Sequence, residues 1–245
     1  MELEIAVLSR TGGRSVNEDA CGFWPSSGVC YCVVSDGAGG HGGGDVASKL
    51  VVKEALGWFR EKQESNASAI EAAMRSANEA LVREQGADRK LADMRATVVV
   101  LALDFERELA SWGHLGDSRL YCFRSHHIVA QTRDHSVVQS MVEAGYLEPH
   151  ELRTSPDRSK LLNALGDREG FDPALEGDAV PLNGDEKFLL CTDGFWEYVE
   201  ERELEQTVSE ASSAEEWLRS LESRVVARGK ASQDNYSALA VWCKP

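Results

Sequence analysis

Short apolar runs separated by tight turns constrain the fold of this chain more than any other feature. The runs Leu109–His114 and Arg119–Arg124 are separated by only four residues, and so short a connection predicts an antiparallel pair of strands. Five further runs have the same strand-like composition: Leu3–Ser9, Val29–Ser35, Ala96–Leu103, Lys187–Cys191 and Ser237–Trp242. The sequence therefore predicts antiparallel sheets rather than the strand–helix alternation of a doubly wound parallel fold.

Helical periodicity occupies the segments between these strands. Apolar residues recur at helical spacing in Gly44–Gln63 and Ala67–Gln85. Ser68-x-x-Glu71 and Ser213-x-x-Glu216 have the spacing of capping boxes, and Asp134 is a candidate N-cap for a short helix over His135–Ala144. Because helices must cover the sheet faces, we predict an α+β fold: a four-layer α-β-β-α sandwich of two antiparallel sheets flanked by antiparallel helices.

Residues 1–245 are expected to form one domain, since 42% of the residues are hydrophobic and there is no repeat or linker-like segment. A flap-like insertion is expected near residues 135–173. This stretch is polar, contains three prolines and is long for a connection inside a compact domain, which is typical of functional lids. A solvated excursion without a role in activity is the alternative.

The charge balance limits the partners of the chain. Asp and Glu number 41 against 26 Lys and Arg, giving a formal charge of −15, which disfavours binding to nucleic acids. An acidic protein that handled phosphate would need local positive charge, and a divalent cation supplies it. We find neither a secretory signal nor an apolar stretch of membrane-spanning length. The six cysteines lie mostly in apolar runs, so we expect reduced thiols and a cytoplasmic location.

Aspartates occur at the ends of several predicted strands. Any one of them alone is more typical of an ordinary turn. Together they place several carboxylates at one rim of a sheet pair, where hard cations such as Mg²⁺ or Mn²⁺ would find the oxygen ligands they prefer. The residues in question are Asp19, Asp36, Asp117, Asp193 and Asp234, of which Asp36 and Asp193 are followed by glycine.

The glycine-rich run Gly37–Gly44 favours no nucleotide site. No Lys-Ser/Thr pair follows it, as a P-loop requires. A dinucleotide-binding turn would lead through one helix into a second strand, whereas here a second helix follows the first.

Six blocks, taken in order, give a more specific signal. RSVNED, VVSDGAGGHGGGDVAS, GHLGDSRLY, TRDHS, LLCTDGFWE and SQDNYSALAV resemble the motifs of the PPM, or type 2C, metal-dependent serine/threonine protein phosphatases, especially the compact bacterial members. The resemblance extends from about Ile5 to Trp242. It implies a sandwich of two antiparallel sheets between helices, two or three Mn²⁺ or Mg²⁺ ions, and hydrolysis of phosphoserine and phosphothreonine by a metal-activated hydroxide.

The resemblance also implies roles for particular residues. Asp36 would bridge two cations, the Gly37 carbonyl would bind one of them, and Asp193 and Asp234 would hold the second. Asp117 would join Asp193 at a third site. The remaining roles fall to Asp19 and Glu18, which would contact cation-bound water, and to Arg14, which would bind the substrate phosphate.

One departure concerns the general acid. Many eukaryotic relatives have His directly after Asp-Gly, where this chain has Ala38. His41 is a candidate general acid. The favoured alternative is that it caps or packs against the start of the helix that begins at Gly44.

The implied partners are phosphorylated proteins, the targets of a bacterial Ser/Thr kinase, in a setting that could include control of type VI secretion. We expect a monomer that binds neither nucleic acid nor membrane. The alternative function is a catalytically inactive module of the same fold that binds phosphoproteins.

Overall fold

Two antiparallel sheets form the centre of the molecule. The computed structural model describes residues 2–39, 43–167, 170–176 and 179–244. Its strands are β1 (Glu2–Arg10), β2 (Asp19–Pro25), β3 (Val29–Ala38), β4 (Arg95–Ala96), β5 (Val98–Asp104), β6 (Leu109–Leu115), β7 (Arg119–Arg124), β8 (His127–Gln131), β9 (Ala174–Leu175), β10 (Val180–Pro181), β11 (Lys187–Cys191) and β12 (Tyr236–Lys244).

The first sheet has the order β1-β12-β11-β7-β8, and the second has the order β10-β6-β5-β3-β2, with β4 beside β3 and β9 beside β6. Every pairing is antiparallel. The side chains between the two sheets form a continuous apolar layer that includes Val34, Leu101, Phe188 and Leu239. This arrangement follows from strands whose two faces are both apolar, because each face must be covered.

The helices cover the outer faces. They are α1 (Gly44–Lys62), α2 (Ala67–Ala87), α3 (Val137–Glu143), α4 (Asp193–Trp196), α5 (Glu201–Glu210) and α6 (Ala214–Arg228), with 3₁₀ segments at Arg89–Leu91 and Pro149–Thr154. Phe59 of α1 and Ile70 of α2 pack on the second sheet, whereas Trp217 and Leu221 of α6 pack on the first. The predicted α-β-β-α sandwich is confirmed.

The local predictions have mixed outcomes. Ser213 caps α6, accepting a hydrogen bond from the Glu216 amide at 3.1 Å. The box at Ser68 is wrong, because Asn66 caps α2 and accepts from the Ala69 amide at 2.9 Å. Asp134 is not an N-cap either: Ser136 caps α3.

Four strands were missing from the predicted set: β2, β8 and the two-residue strands β9 and β10. β2 follows Glu18, and β8 is a solvent-edge strand whose side chains alternate between exposed and half-buried. Among the described residues, no helix combines the length and apolar character needed to cross a bilayer.

The expected flap region begins and ends at neighbouring points. The Val137 amide donates to the Lys160 carbonyl at 2.9 Å, and the Leu162 amide donates to the His135 carbonyl at 2.8 Å. Between these contacts lie α3 and the 3₁₀ segment Pro149–Thr154. The segment is therefore an excursion closed at its base, and the His135 amide attaches that base to the β6–β7 turn by donating to the Gly116 carbonyl at 2.9 Å.

Candidate active site

The strand register places two of the predicted aspartates side by side. Asp19 at the start of β2 is the partner of Asp36 near the end of β3. Thr192, at the end of β11 in the other sheet, donates its hydroxyl to Asp19 Oδ2 at 2.9 Å. The next residue is Asp193, so one hydrogen bond ties the aspartates of the two sheets together at a common edge.

Thr97 holds Asp36 from the other side. Its Oγ1 accepts the Asp36 amide at 2.9 Å, and its own amide donates to the Asp36 carbonyl at 2.8 Å. The same hydroxyl lies 2.7 Å from Ser118 Oγ, beside Asp117 in the turn between β6 and β7. Sequence reasoning missed Thr97, because a threonine directly before an apolar strand gives no signal of its own for this contact.

Gly37 has no room for a side chain. A Cβ built there would lie 1.9 Å from the Gly44 carbonyl oxygen, at the start of α1. The Gly37 amide donates to the Glu18 carbonyl at 3.0 Å, and the Glu18 amide donates to Asn235 Oδ1 at 2.8 Å. The absence of a Cβ therefore lets the end of β3, the N-terminus of α1 and the Glu18 loop converge.

Arg14 lies against Asp234. Its Nη2 donates to Asp234 Oδ2 at 2.8 Å, and both side chains are about half exposed (54% and 45%). The loop that carries Arg14 is fixed by Gly12, whose φ of +59° is in the left-handed region, and by the Gly13 amide, which donates to the Gln233 carbonyl at 2.8 Å. The guanidinium is thus held at the aspartates while remaining open to solvent.

We call Asp19, Asp36, Asp117, Asp193 and Asp234 the aspartate rim. Burial, followed by the charges of the other four rim aspartates, raises the pKa of Asp36 well above its usual value. Burial also raises the pKa of Asp19 to about 7 and that of Asp193 to about 6, with the charge of Asp234 acting in the same direction on both. Burial and mutual repulsion therefore both disfavour the charged forms of these carboxyls in the absence of a cation.

The rim suits hard cations. Its donors are all carboxylate oxygens, the ligand type that Mg²⁺ and Mn²⁺ prefer. Asp19 Oδ1 and Asp193 Oδ1 are buried and have no hydrogen-bond partner, which is costly for an anion unless a cation satisfies it. In the described part of the chain, no three His, Cys, Asp or Glu side chains stand at metal-ligand spacing. Binding would therefore draw the carboxylates inward, Asp234 away from Arg14 among them.

Asp117 is the most enclosed member of the rim, with 4% of its surface exposed. Burial and the charge of Asp193 raise its pKa well above the usual value. Its carbonyl accepts the indole N–H of Trp196 at 2.9 Å. The neighbouring Arg119 pairs with Asp134 rather than with Asp117, and its charge only partly offsets the rise in the pKa of Asp117.

The candidate general acid His41 lies outside the described residues. Two other histidines lie near the rim but are poor proton donors. Burial lowers the pKa of His114 to about 4 and also lowers that of His135. The Gly116 amide donates to His135 Nδ1 at 3.4 Å, which requires that nitrogen to be unprotonated. Both rings are therefore neutral near pH 7.

Comparison with known proteins agrees with this architecture. The family profile "Protein phosphatase 2C" matches residues 9–232. The serine/threonine protein phosphatase PstP of Mycobacterium tuberculosis is 29% identical over 211 residues, covering 85% of this chain and 39% of PstP. This chain thus spans about two fifths of the length of that relative.

Solved structures give the same result. The catalytic domain of PstP in complex with two manganese ions is 25% identical, with a TM-score of 0.84 over 99% of both chains. PppA of Pseudomonas aeruginosa, described as a key regulatory component of the T6SS there, is 30% identical, with a TM-score of 0.80 over 99% of this chain and 98% of PppA. The fold is that of solved phosphatase structures. The family profile covers most of the chain, and this chain therefore belongs to the protein phosphatase 2C family.

Proposed function

We propose that this chain is a cation-dependent phosphatase that removes phosphate from serine and threonine side chains of proteins. The observation that carries the proposal is the aspartate rim with Arg14 beside it, on a chain whose family membership is shown along most of its length. When bound, Mn²⁺ or Mg²⁺ would acidify a water molecule and offset charge on the phosphate oxygens. PstP, which binds two manganese ions, supports that choice of cation.

The residues of the chain then divide the work. Asp36 and the Gly37 carbonyl would hold the first cation, Asp193 and Asp234 would hold the second together with Asp36, and Asp117 with Asp193 would hold a third. Asp19 and Glu18 would accept hydrogen bonds from water on these cations.

Arg14 leaves Asp234 to bind the substrate phosphate, for which its planar guanidinium fork is suited. Its half-exposed position supports this exchange of partners. His41 remains the candidate general acid. The whole of residues 1–245 serves as one phosphatase domain whose flap, near 135–173, borders the substrate entrance.

The physiological setting follows by analogy. The likeness to PppA supports a role in control of type VI secretion where that system is present. The substrates would be the targets of a bacterial Ser/Thr kinase. Five of the six cysteines are buried and the sixth is half-buried, all as free thiols, which suits the reducing cytoplasm. We propose a monomer acting there.

Phosphate release from a phosphoserine peptide tests the proposal. We expect hydrolysis that needs Mn²⁺, stops with a chelator and is lost in Asp36→Asn. Asp185→Asn is the matched control, because Asp185 is an exposed aspartate that precedes β11 at the end opposite Asp193. Peptide binding with a folded protein but no hydrolysis in Mn²⁺ would instead establish the inactive phosphoprotein-binding module.

A further inference from the structure

Trp196 connects two of the candidate ligand loops. It ends α4, the helix that begins with Asp193, and it is only 2% exposed. Its indole Nε1 donates to the Asp117 carbonyl at 2.9 Å. The side chain that follows one rim aspartate by three residues therefore fixes the backbone of another.

The ring of Trp196 is covered by a buried arginine. The guanidinium carbon of Arg119 lies 3.6 Å from the ring centre, in the geometry of a cation–π contact. Arg119 also donates twice to Asp134, from Nε and Nη2 at 2.8 Å each. Arg119 and Asp134 are almost completely buried. The pair therefore holds Asp134, at the start of the flap, close to Trp196.

Arg153 brings the flap itself to the same residue. It lies in the 3₁₀ segment Pro149–Thr154 and donates to the Trp196 backbone carbonyl. Its Nη2 donates to Glu201 Oε1 at 2.6 Å, and its guanidinium lies 5.5 Å from the Trp196 ring centre. Carbonyls at the end of a helix lack partners within it. Here the Arg153 guanidinium of the flap is a hydrogen-bond donor to the last carbonyl of α4.

A second flap contact reinforces this docking. Arg158 Nη2 lies 3.0 Å from Glu197 Oε1, one residue beyond Trp196. The acidic stretch Glu197–Glu205 has a composition typical of a solvated helix face. Glu197 and Glu201 instead receive the flap arginines, which is a long-range pairing that charge patterning along the chain does not reveal.

We propose that Arg153 and Trp196 are positioning residues that couple docking of the flap to cation binding at Asp117. The docked flap holds α4 through Arg153, and Trp196 of α4 holds the Asp117 turn through its indole N–H. By linkage, whatever docking contributes to cation affinity, cation binding contributes equally to docking. The inference rests on the proposed cation site. It adds that the flap affects cation affinity, and not only access of the substrate.

Manganese titration by calorimetry tests the coupling in the full chain. We expect Arg153→Met and Trp196→Phe to weaken the weakest-bound Mn²⁺ about tenfold, as loss of an outer partner does in other metal sites, and to leave tighter sites unchanged. Arg153→Lys should recover part of the loss, because it keeps the charge. Arg133→Met is the matched control: Arg133 is an exposed arginine, next to Asp134 in the chain, whose guanidinium lies 3.9 Å from Glu143, and its removal should change nothing.

Hydrogen exchange supplies the reciprocal readout. In the wild type, saturating Mn²⁺ should slow exchange across residues 137–154, and in Trp196→Phe this protection should fall while exchange in α1 and α2 stays unchanged. A uniform increase in exchange throughout the chain would mark a merely structural role and overturn the proposal.

The two proposals fail differently. Manganese binding to the wild type with unaltered affinity in both variants overturns the coupling and leaves the phosphatase standing. Absence of manganese binding in the folded wild type overturns both.

Discussion

We call the cluster of Arg119, Asp134, Arg153 and Glu201 the flap root. The aspartate rim and the flap root both contain carboxylates, yet the pKa of Glu201 in the flap root is shifted in the opposite direction to that of Asp36 in the rim. At the rim, burial and neighbouring carboxylates raise the pKa values of Asp19, Asp36 and Asp193. At the flap root, burial acts to raise the pKa of Glu201, but the charge and hydrogen bond of Arg153 leave it below its usual value. Composition alone does not mark a cation site. What marks it, among the described residues, is a set of converging carboxylates of which Asp234 alone forms an ion pair with an arginine.

Removing a rim carboxylate should have the largest effect. Asp36→Asn should lower kcat by at least about 10³-fold, because loss of the bridging ligand removes several kcal/mol of charge stabilisation. Hydrolysis of an aryl phosphate at saturating Mn²⁺ measures it. A loss below tenfold, with Asp185→Asn unchanged, would place the reacting centre away from the rim.

Removing the Arg119 guanidinium from the flap root should mainly lower the stability of the fold. Arg119→Met leaves Asp134 buried without its partner, which typically costs about 3–5 kcal/mol. Denaturant unfolding of the chelated protein measures the loss. The double variant Arg119→Met/Asp134→Leu should recover much of it, since no unpaired charge remains. A double variant as unstable as the single one would show that the ion pair is not what Asp134 requires.

Arg14 and Arg10 allow a sharper comparison, because both form ion pairs with an acidic side chain at 2.8–2.9 Å and are about half exposed. Arg14→Ala should lower kcat/KM for a phosphopeptide about 30-fold, since two charge-assisted hydrogen bonds to phosphate are lost. Arg10→Ala, which breaks the pair with Glu222, should leave it unchanged. Equal losses in the two variants would remove the special role of Arg14.

The smallest effect concerns pH and stability without metal. The folded-state pKa of Asp19 is raised to about 7 and that of Asp193 to about 6, so the folded chain binds more protons than the unfolded chain between about pH 4 and pH 7. The contribution of Asp19 and Asp193 to the free energy of unfolding is fully present below about pH 4 and is lost as the pH rises through 6 to 7.

In chelator, the melting temperature should therefore fall by about 2–6 °C between pH 5.5 and pH 7.5, and Asp19→Asn should reduce the fall. Differential scanning calorimetry measures both. A melting temperature that rises over this range would mean that the rim is already neutralised by other groups.

Sequence reasoning reached the rim because its signals are local. An apolar run of strand length followed by Asp-Gly, as at Asp36 and Asp193, places a carboxylate at a strand end, and antiparallel pairing brings such ends together. The fold class followed from the same runs.

The errors arose where a distant partner decides. Asp134 is a residue type that often caps helices, but its carboxylate forms an ion pair with Arg119, fifteen residues away. Thr97 and Trp196 carry no charge and belong to no pattern that marks a contact, so their hydrogen bonds to Asp36 and Asp117 depend on tertiary placement. β8 went unrecognised because an edge strand with exposed side chains lacks an apolar run.

Proton release on manganese binding tests the central claim most directly. Calorimetric titration at pH 6 in buffers of different ionisation enthalpy counts the protons displaced from the rim. Because burial and mutual repulsion keep rim carboxyls partly protonated at that pH, we expect release of at least about one proton per chain at pH 6, falling toward zero by pH 8.5. Tight manganese binding without proton release at pH 6 would contradict the account, because the rim would then already be fully ionised.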